Sequence, residues 1–249
     1  MVARSAIPGF ALAVARLFTI QAAWTYERML GIGFGFVAEP MLRGLRRDGD
    51  GSAFRRAVAR QSRYFNAHPY FASLAVGAAV RAELDGVQPE KIERLRSALV
   101  GPLGSLGDRL IWAGWLPACA AIGLLLVALS AGAWAVVAFL VLYNVAHVWL
   151  RIWGLKAGWR SGVSVAGALA TPGLQRALEI VAPVAAFLVG AALVSVLAWV
   201  PAGGRWETLA GAAAALLFAG LVRAIQPRAT GMVVAGGVLA AVLAVGVLW

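Results

Sequence analysis

Long apolar runs crowd the second half of the chain, whereas those of the first half are short and broken. Stretches 110–130, 133–150, 179–200, 207–223 and 229–249 approach the roughly 20 apolar residues that a helix needs to cross a hydrocarbon core. They predict five transmembrane helices, or four if the short, Ala-rich 207–223 lies partly in the interface. In the first half, apolar stretches at 5–24, 29–42 and 69–80 are interrupted by Pro8, Arg16, Glu27, Arg28, Glu39, Pro40, His68 and Pro69. Such segments fit amphipathic interfacial helices or re-entrant hairpins. Between them lie a polar loop (Arg46 to Ser52), an Arg-rich helix (Ala53 to Tyr64) and an acidic-basic helix (Gln88 to Leu99), and the two helical patches read as facing water. Irregular backbone cannot face lipid, so the hairpins must be buried in protein or line a watery cavity, which is where transporters hold substrates. The expected fold is an all-α membrane protein: amphipathic helices and re-entrant hairpins over residues 1–110, which would form the substrate path, then four or five transmembrane helices over 111–249.

Composition strengthens the membrane reading. Hydrophobic residues make up 61% of the chain and charged ones 13%, against about 25% charged in soluble domains. The net charge of +11 lies between apolar segments rather than on a groove-reading motif, which argues against nucleic acid. Residues 1–110 hold 15 Lys/Arg against 9 Asp/Glu, and Arg151, Lys156, Arg160 and Arg176 share one loop. By the positive-inside rule, the first half, including the N-terminus, and that loop face the cytoplasm, with Trp249 outside. Cys119 is the lone cysteine, so no disulfide framework or thiol metal site is expected. His68 and His147 are far apart in sequence and lack clustered carboxylates, so neither a metal nor another cofactor is predicted.

Three polar clusters interrupt the apolar first half: Gln21 to Met29, with Trp24, Glu27 and Arg28; Tyr64 to Tyr70, with Asn66 and His68; and Gly101 to Asp108. Each sets amide, carboxyl or imidazole groups beside aromatic residues or glycines. Polyols are recognised by that mixture, because amides and carboxylates pair with adjacent hydroxyls while an aromatic face covers the C–H side of the ring. Gly101, Gly104 and Gly107 lack the Lys-Ser/Thr of a phosphate-binding loop and read as a bent, Gly-rich turn. Asp108 would end that turn, either as a ligand or as the N-cap of the span that follows. Asn144, inside a predicted span, needs a hydrogen-bond partner, which a neighbouring helix would supply. Ser73 and Ser105 have no sequence-evident base, so covalent catalysis is not expected.

In this order, the clusters resemble the IID membrane component of the mannose/fructose/sorbose family of phosphotransferase-system sugar permeases. The resemblance rests on Trp24-Thr25-Tyr26-Glu27-Arg28-Met29 with Gly31 and Gly33-Phe34, on Tyr64 to Tyr70, and on Gly101-Pro102-Leu103 through Gly107-Asp108. Tyr143-Asn144, Arg151, Gly154, Lys156 and Gly158 continue it. It implies a multi-pass subunit of the bacterial inner membrane, paired with a IIC subunit in a homo-oligomer of IIC–IID pairs. Soluble IIA and IIB proteins would relay phosphate to a hexose as it enters. The IID chain itself would be an unphosphorylated permease subunit, not an enzyme. Gln21, Asn66 and Asp108 would bind sugar hydroxyls and Trp24 would pack on the ring. Glu27 and Arg28 would hold or gate the hairpins, and His68 would lie on the same path. Thr25 and Leu116, where the family usually has Asn and Arg, leave open a second reading: a diverged structural or regulatory membrane protein without sugar transport.

Overall fold

A computed structural model describes residues 6–47 and 50–197. The expected spans 207–223 and 229–249, with Trp199, Trp206 and Trp249, lie outside the described residues.

Helices α1 (Phe10–Leu17) and α2 (Gly31–Leu42) come from the interrupted apolar stretches. A short 3-10 turn (Arg43–Arg47) precedes the Arg-rich α3 (Ser52–Gln61), close to its expected position. Helix α4 (Ala72–Leu84) is buried on every face over Ala72 to Glu83, as expected of a helix that is apolar nearly all round. It has become the centre of the fold, with α2, α5 and α7 packed around it.

One continuous helix then runs from Pro89 to Ala128. It consists of α5 (Pro89–Gly107), a π-helical segment (Asp108–Trp115) and α6 (Leu116–Ala128). At 1.5 Å per residue it is about 60 Å long, roughly twice a hydrocarbon core, so its charged start at Glu90, Lys91, Glu93 and Arg94 can stand clear of lipid. The expected bent turn at Gly101–Asp108 is therefore corrected. Asp108 lies inside the helix and caps nothing. Local propensity argued for a break at Gly101, Pro102 and Gly104, but apolar surroundings reward internally bonded backbone, and π adjustments accommodate such residues within membrane helices.

Helix α7 (Ala133–Ser161) follows a tight turn in which Ser130 and Gly132 adopt positive φ. Its first two-thirds expose Trp134, Val136, Val137, Leu140, Val141, Val145, Val148 and Trp149. An apolar surface of this kind suits lipid. From Leu150 onward one face of the helix is buried against α4, so closely that a Cβ on Gly77 would overlap the Leu155 carbonyl and one on Gly158 the Leu74 carbonyl. Small residues permit this approach of two helix backbones. The short α8 (Ala166–Leu169) and the long α9 (Pro172–Leu197) complete the described chain, with α9 packed on α6 and the π segment. Among the described residues, three helices are long and apolar enough to cross a membrane: Pro89–Ala128, Ala133–Ser164 and Ala166–Leu193. Asn144 bonds within its own helix, to the Leu140 carbonyl at 2.8 Å, and not to a neighbouring helix.

Candidate functional site

The segment between α3 and α4 is irregular and carries Phe65 at its heart, in an isolated bridge with Met29. The Phe65 amide donates to the Arg28 carbonyl, and its carbonyl accepts from the Leu30 amide at 2.9 Å. The turn at Thr25–Met29 is thus fastened beside it. Thr25 Oγ1 accepts from the Arg28 amide at 3.2 Å, so its hydroxyl serves its own turn. Met29 adopts φ 51°, a left-handed conformation uncommon for such a side chain. Phe65 itself is fully buried against Phe34, at 4.9 Å between ring centroids.

Arg96 secures the other end of this segment. Its buried guanidinium donates to the carbonyls of Arg60, Gln61 and Arg63 at 2.7 to 3.0 Å, satisfying acceptors that the C-terminus of α3 leaves free. Beyond Phe65 the chain delivers Asn66, exposed, and His68, buried, onto the side of α5 and the π segment.

There the two elements enclose a pocket of about 540 Å³, lined among others by Asn66, His68, Ser105, Asp108, Arg109 and Trp112. That volume falls within the roughly 300–1,000 Å³ common for small-molecule sites. A larger depression of about 730 Å³, lined by Pro8 to Leu12, Pro40, Arg43 and Gly44, presents a single charged side chain and offers little for polar recognition.

His68 is 2% exposed. Its Nδ1 accepts the Tyr70 amide at 3.3 Å, which leaves the proton on Nε2, and Nε2 is buried without a hydrogen-bond partner. Burial, reinforced by the charge of Arg151 and by His147, pulls the imidazole down to about 4, so it is neutral at physiological pH. The ring lies 5.0 Å from that of Trp112 and 4.9 Å from that of Tyr70, edge to face in both cases. Tyr70 in turn stacks on His147 at 4.1 Å. The two histidines, remote in sequence, thus share one tyrosine.

The fold gathers Asn66, His68 and Asp108 at this pocket and leaves Gln21, Trp24, Glu27 and Arg28 outside its lining. Those four are exposed on the 18–30 segment. Trp24 packs on Tyr26 at 4.8 Å, and Arg28 reaches the Ser62 carbonyl at 3.4 Å. Sequence reasoning missed Arg109 and Trp112. Helical spacing from Gly101 through Ser105 and Asp108 points to Trp112, but that signal is lost once the segment is read as a turn.

Residues 10–201 match the family model described as the PTS system mannose/fructose/sorbose family IID component. The chain is similar to the PTS system mannose-specific EIID component of Escherichia coli (strain K12), with 27% identity over 176 residues covering 69% of this chain and 62% of that protein. It is also similar to the PTS system sorbose-specific EIID component of Klebsiella pneumoniae, with 30% identity covering 68% of this chain and 63% of that one. The fructose permease IID component of Bacillus subtilis is 28% identical, covering 68% and 62%. This chain therefore spans less than two thirds of the length of the curated relatives it matches. Among solved structures, it resembles a chain in the complex of the mannose transporter ManYZ with microcin E492, at TM-score 0.59 and 25% identity, covering 77% of this chain and 70% of that one.

Proposed function

The chain belongs to the mannose/fructose/sorbose family of phosphotransferase-system IID components, and we propose that it is the IID subunit of a hexose permease, with the Asn66–His68–Asp108 pocket on its sugar path. The observation that carries this reading is the convergence of those three residues, from two separate polar clusters, on one pocket. Asn66 offers both donors and an acceptor, Asp108 accepts, and Ser105 can do either, which suits neighbouring hydroxyls on one ring. Thr25 and Leu116 lie outside the pocket lining, so those two departures from the family pattern leave its chemistry untouched and favour retained transport over a diverged structural role.

In this reading a IIC subunit completes the path, and IIB and IIA phosphorylate the sugar as it enters. The likeness to a chain of the mannose transporter ManYZ complex supports the pairing. The protein sits in the bacterial inner membrane with its N-terminal half toward the cytoplasm, where its arginines agree with the positive-inside rule, and IIC–IID pairs assemble further into an oligomer. Gln21, Trp24, Glu27 and Arg28, on their exposed segment, face the IIC side of the path. The test is uptake of radiolabelled mannose by cells producing this chain with IIC, IIB and IIA. Asn66→Ala and Asp108→Asn should each raise the half-saturating sugar concentration at unchanged membrane abundance; uptake unaffected by either substitution would sink the site.

A further inference from the structure

His68 lines the pocket and carries a buried donor with nothing to donate to, and beside it stands Trp112, more than half exposed. The donor is His68 Nε2–H. The Tyr70 amide occupies Nδ1, the imidazole is 2% exposed, and Nε2 is without a partner. An unmet buried donor destabilises the fold, a cost that a ligand acceptor reaching it would remove. Trp112 lines the same pocket, meets the His68 ring edge to face at 5.0 Å and remains 54% exposed.

The π segment explains why Asp108 joins them. Residues four apart on an α-helix are offset by about 40°. A π turn holds more residues, so each advances by a smaller angle, and Trp112 falls closer to the line of Asp108. One wide turn therefore presents an acceptor and an indole to the same space. Trp24, the aromatic that the sequence pattern suggests for stacking, does not line this pocket and is packed on Tyr26.

Building on the permease reading above, we infer that His68 and Trp112 form a recognition corner for a pyranose: the indole takes the C–H face of the ring, and His68 Nε2–H donates to one of its oxygens. Asp108 and Asn66 then hold hydroxyls on the ring's other edges. Trp112 contributes affinity through apolar contact and tolerates different sugars. His68 sets the rotation of the ring and therefore discriminates between them.

The experiment measures KM and maximal rate of uptake for mannose and a panel of its monodeoxy analogues, in cells producing the full set of subunits, with membrane abundance quantified for each variant. Trp112→Phe should stay within about threefold of the parent, whereas Trp112→Leu, which fills space without a π face, should raise KM about tenfold. His68→Phe, or His68→Asn if the first inserts poorly, should raise KM for mannose about tenfold. It should also abolish the penalty that the parent shows for one particular deoxy position. A merely structural histidine would instead weaken every sugar alike. The corner is overturned if Trp112→Leu leaves KM unchanged, or if loss of His68 leaves the analogue profile unaltered, while Asn66→Ala and Asp108→Asn still raise KM. If those two also leave KM unchanged, the pocket is not the sugar path, and the permease-site reading fails with the corner.

Discussion

Gly107 and His68 occupy space that no larger pair could share: a Cβ at position 107 would overlap Cβ and Cγ of the histidine. This contact seats the Tyr64–Tyr70 segment against the long helix and sets the depth of the pocket. Gly107→Ala should therefore cost about 2 kcal/mol or more through overpacking and reduce mannose uptake. At Gly101 nothing lies within 4 Å of the added methyl, so Gly101→Ala should leave stability unchanged or raise it by about 0.5–1 kcal/mol through helix propensity. Thermal unfolding of the two variants in detergent provides the comparison.

Arg60 and Glu83 tie α3 to the central helix. The carboxylate accepts from Arg60 Nε and Nη2 at 2.8 and 2.6 Å and from Gln61 Nε2 at 2.6 Å, with side-chain exposures of 15% for Arg60 and 5% for Glu83. Removing one partner strands the other, so Glu83→Leu alone should destabilise by about 3 kcal/mol. Adding Arg60→Met should recover much of that loss. Melting temperatures that decline further in the double variant would contradict this account.

Stability should fall with acid, and His68 should carry part of the fall. Its imidazole titrates near 4 in the folded protein against 6.5 ordinarily, so between these values the unfolded chain binds more protons than the folded one. The contribution is complete above about pH 6.5 and is lost as the pH drops through the folded value, amounting to on the order of 3 kcal/mol. Asp108 and Arg109 share the pocket, while Arg151 and His147 face the ring from α7. The measurement is the difference between parent and His68→Phe in denaturation midpoint at about pH 7 and about pH 5, where the variant should show the shallower loss.

Arg151 is 3% exposed and joins three parts of the chain. It donates to His147 Nε2 at 2.6 Å, to the Leu17 carbonyl and to the Pro69 carbonyl at 3.5 Å, with Tyr70 and Phe18 against its guanidinium. A lysine ammonium cannot reproduce that fork. Arg151→Lys should lose about 2 kcal/mol and expose the 18–30 segment to protease faster than the parent. Equal cleavage rates would show that the segment is held by other contacts.

Much of this protein was legible in its residue pattern. Apolar runs and interrupted segments announced helices and a membrane, and Asn66, His68 and Asp108 stood out because polar groups amid apolar sequence need a partner or a task. The same reasoning grouped Gln21, Trp24, Glu27 and Arg28 with them, whereas the fold leaves those four outside the pocket lining, because composition records which aromatics lie near polar residues in sequence and not which of them line one cavity. It also broke the chain at Gly101–Asp108, since local propensities were weighed without the apolar surroundings that keep a helix closed through glycine and proline.

The helical class and the membrane class were legible in the sequence, because they depend on side chains and on periods of a few residues. The continuity of the helix from Pro89 to Ala128, the place of Trp112 rather than Trp24 in the pocket lining, and the placing of His68 and His147 on one tyrosine were decided by tertiary structure alone. Those features depend on distances between residues tens of positions apart, and such distances are set by close packing at glycines such as Gly77, Gly107 and Gly158, where the absence of a side chain is the determining fact.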